Sequence, residues 1–127
     1  MGRALAIVTR FYDLTNEKSR PASQIIADLR HLVADNIEFV GPLMQMRGAS
    51  EYLALNERLL PAHLETRILR QFEDGDQVCS IYELVLRTPK GGTLTLPMAD
   101  WIKVSNGRVV EQRTYFDPRE FAAAFGM

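Results

Sequence analysis

The stretch Leu86–Phe121, LRTPKGGTLTLPMADWIKVSNGRVVEQRTYFDPREF, decides how the chain is read. Within it, TLTLPMADWIKV (93–104) and RVVEQRTYF (108–116) alternate apolar and polar residues as half-buried strands do. The SNG between them (105–107) supplies the Asn-Gly pair that a tight hairpin demands. Asp117-Pro118 then ends the last strand and starts a C-terminal helix. Upstream, LETRILRQFE (64–73) and QVCSIYELVLRT (77–88) are two further β-like runs, separated by DGD at 74–76, with PKGG at 89–92 leading into the third run. Four such runs joined by turn chemistry predict an antiparallel meander.

The first half of the chain has a different period. Leu5, Val8, Phe11 and Tyr12 recur with helical spacing, as do Ile25, Leu29, Leu32 and Val33 in a segment that Pro21 can begin. NIEFVGP (36–42) reads as a short strand closed by Gly41-Pro42, and GASEYLALNERLL (48–60) as a third helix stopped by Pro61. A sheet must bury one face, and these helices are the cover available. The expected fold class is therefore α+β: a curved antiparallel sheet covered by three N-terminal helices, cone-shaped, with an internal pocket. There is no repeat, no low-complexity tract and no separating linker, so residues 1–127 read as a single domain.

Composition narrows the function classes. The chain has 127 residues, 46% of them hydrophobic, and a domain of that size buries about two thirds of the surface its unfolded form exposes. Fifteen basic and 16 acidic residues leave a formal net charge of -1, which supplies no general field for nucleic acid or an acidic membrane. No segment approaches the roughly 20 apolar residues of a membrane helix. MGRALAIVTRFYD carries Arg10 and Asp13 too early for a signal peptide and reads as an amphipathic helix. Cys79, alone in an apolar run, predicts a buried thiol and a reducing cytoplasm. His31 and His63 lack companions at metal-ligand spacing, so no metal is expected, and with no phosphate loop or zinc motif in the chain no cofactor is expected either.

The order helix, helix, strand, helix and meander, with VGPLMQMRG leading into the third helix, resembles the nuclear transport factor 2-like superfamily. That superfamily includes ketosteroid isomerases, SnoaL-like polyketide cyclases and limonene epoxide hydrolases. The likeness to the hydrolases is most specific at the C-terminal end, where RTYFDPREF stands in place of a Trp-Arg-Asp-Tyr-Phe-Asp motif followed by a helix. Carried over by position, the hydrolase acid falls on Glu83, its bridging arginine on Ile81 and its second aspartate on Thr114. Isoleucine cannot orient two carboxylates, so that mechanism does not transfer. The resemblance to ketosteroid isomerases places the oxyanion-hole aspartate on Asp100 in LPMADW, the helix tyrosine at Phe11 beside Tyr12, and the base near Gly41.

The residues give an independent placement of the two acids. If Gly91-Gly92 is a two-residue loop, Lys90 faces Thr93, and Glu83 then lies opposite Asp100 on one sheet face. A close carboxylate pair in an apolar cavity shares a proton and can act as acid and base. The competing reading puts Glu83 on the solvent face, neutralised by Arg87, Arg108 or Arg113. Tyr12 offers a phenol to a ligand or fills the core with a wet tip. Glu38 can point inward or outward in IEF. Thr114, with Gln112 and Phe116, faces the cavity, and Met98 lines it or fills core.

Trp101 and Tyr115 fall on the opposite face and predict burial against something. The resemblance implies a second copy there, a homodimer through the outer sheet face. The expected function is a pocket for a small apolar, oxygen-bearing molecule, working as a cofactor-free acid/base isomerase, cyclase or hydrolase of SnoaL-like type. The alternative is a non-catalytic hydrophobic-ligand-binding or accessory protein of the same fold.

Overall fold

The computed structural model describes residues 2–127. In chain order the elements are α1 (Arg3–Asn16), α2 (Ala22–Arg30), β1 (Val33–Val40), β2 (Gln45–Arg47), α3 (Ala49–Leu59), β3 (His63–Asp74), β4 (Gln77–Arg87), β5 (Thr93–Ser105), β6 (Arg108–Tyr115) and α4 (Pro118–Ala124). The strands form one sheet in the order β2-β1-β6-β5-β4-β3. β3 to β6 make the expected antiparallel meander, whereas β1 runs parallel to β6. The fold is α+β, as the alternation of periods predicts.

Three details depart from the sequence reading. Val33 does not continue the second helix but starts β1, fully buried and paired with Val109. β2, only three residues long, is too short to give a periodic signal. The third departure is the β4–β5 turn, where Arg87 pairs with Thr93 and not Lys90 with Thr93. Thr88 and Gly92 close a three-residue loop through Thr88 N–H to Gly92 O at 2.9 Å, with Gly91 at φ +93°. Pro89-Lys90-Gly91 is thus a turn ending in a left-handed glycine, a common three-residue hairpin loop. The register shifts by three residues as a result, and an odd shift moves side chains to the other face.

Curvature comes from bulges. Extra residues at Leu64 and Leu69 in β3 and at Val110 in β6 interrupt the registers, and each bulge bends its strand. β5 alternates without interruption along all 13 residues, its even-numbered side chains turned to the helices. Pro97 sits in this strand beyond the end of β6, whose pairing stops at Ala99–Tyr115, so β5 has one neighbour there and tolerates a missing N–H.

The core lies between the inner sheet face and α1 to α3. Val8 and Leu14 from α1, Ile25 and Leu29 from α2, Tyr52 from α3, and Ile37 and Ile102 from the sheet are almost wholly buried. Both N-terminal helices carry their apolar residues on one stripe, which is why they seat on the sheet. Gly2 has no side chain to cap α1, and the sheet supplies one instead. Glu73 of β3 accepts from Gly2 N–H at 3.1 Å and Leu5 N–H at 2.8 Å. A carboxylate at a helix N-terminus both satisfies free donors and complements the helix dipole. Replacing Glu73 with Ala is expected to lower unfolding free energy by about 1 kcal/mol in chemical denaturation. An unchanged midpoint would contradict this role.

Candidate functional site

Asp100 is 1% exposed, at the inner face of β5, a strand whose neighbouring inward residues are Met98 and Ile102. An ionised carboxylate cannot sit among such neighbours without donors. It has four. Oδ2 accepts from the Tyr12 hydroxyl at 2.7 Å and from Gln112 Nε2 at 3.2 Å. Oδ1 accepts from the Thr114 hydroxyl at 2.8 Å and the Tyr82 hydroxyl at 3.0 Å. The donors come from α1, β4 and β6, so one side chain ties the helical layer to three strands.

The cluster extends one step further, since the Tyr52 hydroxyl donates to Gln112 Oε1 at 2.5 Å. That bond fixes the amide so that its nitrogen faces Asp100. Burial raises the Asp100 pKa to about 6, and the four hydrogen bonds hold it from rising further. Burial, followed by the charge of Asp100, raises Tyr12 and Tyr82 well above the usual phenol range. Both phenols therefore stay protonated and act as donors.

This cluster forms one end of a cavity of about 180 Å³. An apolar cavity of about 150 Å³ accepts benzene, so the space suits a small cyclic molecule. The walls are apolar, with Phe11 and Phe39 from α1 and β1, Leu84 and Leu96 from the sheet, and Phe116 and Phe121 from the C-terminal segment. A second polar group lies in the same cavity, made of Thr15, His63 and Thr66. Burial, followed by the nearby Lys18 charge, lowers the His63 pKa to about 4, so the ring is neutral at pH 7.

Of the residues singled out from sequence, Tyr12, Met98, Asp100, Thr114 and Phe116 line this cavity. The expected Glu83–Asp100 pair does not form. Glu83 lies opposite Pro97 on the outer face and pairs with Arg67 at 3.0 Å, while Asp100 lies opposite Ser80. The three-residue turn accounts for the difference. Glu38 also faces away from the cavity, forming an ion pair with its cross-strand neighbour Arg47, while Ile37 and Phe39 turn inward. Cys79 is half-buried, not buried, and shares the outer face with Phe72 and Trp101.

Sequence reasoning missed Tyr82 and Gln112 as donors to Asp100, Tyr52 as the donor that orients Gln112, and His63 and Thr66 as a second polar group. Tyr82 was recoverable by parity, because it lies an even number of residues from the inward-facing Val78 and Ser80 on β4. Among the described residues no group of three or more His, Cys, Asp or Glu could hold a metal ion, and no helix is long and apolar enough to cross a membrane.

A model of the SnoaL-like domain family matches residues 8–112, a span that includes most of α1, all of α2 and α3, and most of the meander. Among solved structures, the fold is shared with a protein proposed to be a SnoaL-like polyketide cyclase from Jannaschia sp. CCS1, at 16% identity and a TM-score of 0.80 over 97% of this chain and 91% of that one. It is shared with a proposed isomerase of the SnoaL-like family from Agrobacterium tumefaciens strain C58, at 20% identity and a TM-score of 0.71 over 92% and 99%. A nuclear transport factor 2-like protein of unknown function from Cytophaga hutchinsonii matches at 23% identity and a TM-score of 0.74 over 93% of each chain. No curated protein sequence matches.

The raised pKa has a definite effect on stability. The folded state holds the Asp100 proton more tightly than the unfolded chain, whose value is near 3.8. The resulting stabilisation is complete below about pH 4 and is lost as pH rises through about 6. His63 contributes in the opposite sense, stabilising above about pH 6.5 and less as pH falls toward 4. Comparing wild type with Asp100→Asn isolates the first effect. The difference in unfolding free energy, wild type minus variant, is expected to fall by about 2 kcal/mol between pH 4 and pH 7. A difference that is flat or rises over that range would contradict the assignment.

Proposed function

The chain belongs to the SnoaL-like domain family, and from that premise we propose that it is a cofactor-free acid/base enzyme acting on a small, largely apolar molecule with a carbonyl or hydroxyl oxygen. Asp100 is the acid/base group. The observation that carries this reading is a single carboxylate, buried at the end of an apolar cavity, with a pKa of about 6. A group poised near neutrality can accept a proton and return it at comparable cost.

The proton inventory of the cluster supports a specific sequence. Ionised Asp100 takes a proton from a carbon next to the substrate carbonyl; the C–H bond breaks and its electron pair moves to the carbonyl oxygen. The carboxyl group, now neutral, no longer needs every donor that surrounds it. One of Tyr12 and Tyr82 is released to donate to the enolate oxygen, stabilising charge where it develops. Return of the proton to a different carbon gives an isomer, while attack of the enolate carbon on a second carbonyl closes a ring and leaves an alkoxide that takes the proton back from Asp100. The fold neighbours proposed to be a polyketide cyclase and an isomerase are consistent with either outcome.

A second reading, binding without catalysis, rests on one observation: all four hydrogen-bonding directions of Asp100 are already taken by protein donors. In that reading the cluster only shapes the cavity end.

The outer sheet face supports a homodimer. Phe72, Trp101 and Tyr115 are 57%, 46% and 54% exposed there, with Ile81 beside them. Large apolar side chains gathered on one face favour a partner surface. We place the protein in the reducing cytoplasm, compatible with the free Cys79 thiol on this face.

A panel of ketosteroids, epoxides and polyketide-like ketones tests the catalytic reading. Turnover is expected to fall by about a hundredfold or more in Asp100→Asn and to persist in Glu83→Gln. The rate should rise with pH through about 6 as Asp100 ionises. Turnover unchanged in Asp100→Asn would remove it from the chemistry, and binding without turnover would favour the second reading. Light scattering at micromolar concentration is expected to give a dimer in wild type and a monomer in Trp101→Glu; a wild-type monomer would overturn the dimer.

A further inference from the structure

The polar group at His63 is wired in a way that fixes where its protons are. Lys18 Nζ carries three protons and uses all of them, on Thr15 O at 3.1 Å, His63 O at 2.9 Å and His63 Nδ1 at 2.7 Å. An ammonium has no lone pair, so Nδ1 must be the acceptor. Neutral His63 then carries its single proton on Nε2, which lies 2.8 Å from the Thr66 hydroxyl and donates to it. The Thr66 oxygen is thereby an acceptor, and its own proton finds no acceptor among the described residues. Thr66 lies on the wall of the cavity that ends at Asp100.

Two local features show that this arrangement is built. His63 and Thr66 are three residues apart, a spacing that in a regular strand would put them on opposite faces. The bulge at Leu64 brings both to the inner face, His63 opposite Leu86 and Thr66 opposite Leu84. Asn16, at the end of α1, then clamps the Thr66 backbone, accepting from its N–H at 2.7 Å and donating to its carbonyl at 3.0 Å. The hydroxyl is fixed by its backbone on one side and by His63 on the other.

Thr66 and Asp100 are well separated in the sheet. Thr66 lies opposite Leu84, Leu84 opposite Leu96, and Asp100 is a further four residues along β5. That is two strand spacings, roughly 10 Å, by roughly 13 Å along the strand, before the curved sheet lets the side chains converge. A single ligand oxygen does not reach both.

We propose that Thr66 is a second ligand-binding residue, positioned by Lys18 and His63, and that the cavity selects small one- or two-ring molecules bearing an oxygen at each end. One oxygen meets the Asp100 cluster and the other accepts the Thr66 proton. The low His63 pKa keeps the ring neutral and the wiring intact through neutral pH. The Lys18 ammonium behind the ring, which forms no ion pair among the described residues, favours an electron-rich acceptor. This inference rests on the reading of Asp100 as the first anchor.

Binding of 2,6-dihydroxynaphthalene and 2-naphthol, followed by their fluorescence, tests it. Wild type is expected to prefer the two-oxygen probe by about three- to tenfold, the worth of one neutral hydrogen bond. Thr66→Val should abolish the preference, and Thr66→Ser should retain it. Lys18→Met should weaken the preference, and nitrogen NMR shifts of wild-type His63 should report the Nε2–H tautomer. No preference in wild type, including binding of neither probe, overturns the proposal, as does a preference that survives in Thr66→Val or a His63 protonated on Nδ1. Asp100→Asn separates the two readings: loss of 2-naphthol affinity supports the first anchor, and unchanged affinity removes it whatever Thr66 does.

Discussion

One carboxylate organises the inner side of this protein. Removing Asp100 from water costs several kcal/mol, and only hydrogen bonds supplied from elsewhere in the fold can offset that. The offsetting donors sit on α1, β4 and β6, so their positions are constrained jointly and not element by element. A shift of the helix or of either neighbouring strand would leave a buried charge short of partners. The compensation is also incomplete, because burial still outweighs the four bonds and leaves the pKa about two units high. That residual cost gives a structural group the proton affinity of an acid/base group.

The rest of the cavity amplifies this. Aromatic and aliphatic walls keep the dielectric low around the cluster, so each dipole aimed at Asp100 counts for more than it would in water. The two tyrosines are donors because their own ionisation is suppressed by burial and by the charge they serve. The site at His63 follows a different logic. There a cation and a neutral ring fix the direction of a hydrogen-bond chain that ends at a hydroxyl. One end of the cavity holds a mobile proton and the other a directed one.

How much of this could be read from sequence depends on the length of the pattern involved. β5 alternates over 13 residues, so the inward direction of Asp100 and the outward direction of Trp101 were legible. Pairing between strands was not, because it depends on the turn. Gly91-Gly92 looks like a two-residue loop, while Pro89 and the left-handed Gly91 close a three-residue one, and the difference moves Glu83 from beside Asp100 to the outer face. His63 and Thr66 were hidden for a related reason: the bulge at Leu64 breaks the parity on which face assignment rests. Glu38 was undetermined because β1 carries an irregularity between Val33 and Glu38 that breaks its alternation, and its ion pair with Arg47 needed β2, which three residues do not announce. Alternation fixes faces, and turns and bulges fix partners.

Acid/base chemistry at this site depends on the Asp100 carboxyl holding its proton far more tightly than an exposed aspartate does. Carbon NMR of protein labelled at aspartate carboxyl carbons, followed across pH and assigned by comparison with Asp100→Asn, measures that directly. A resonance absent from the variant is expected to titrate with a midpoint of about 6. A midpoint at or below the ordinary aspartate value of about 4 would mean that the four hydrogen bonds outweigh burial, and would contradict that expectation.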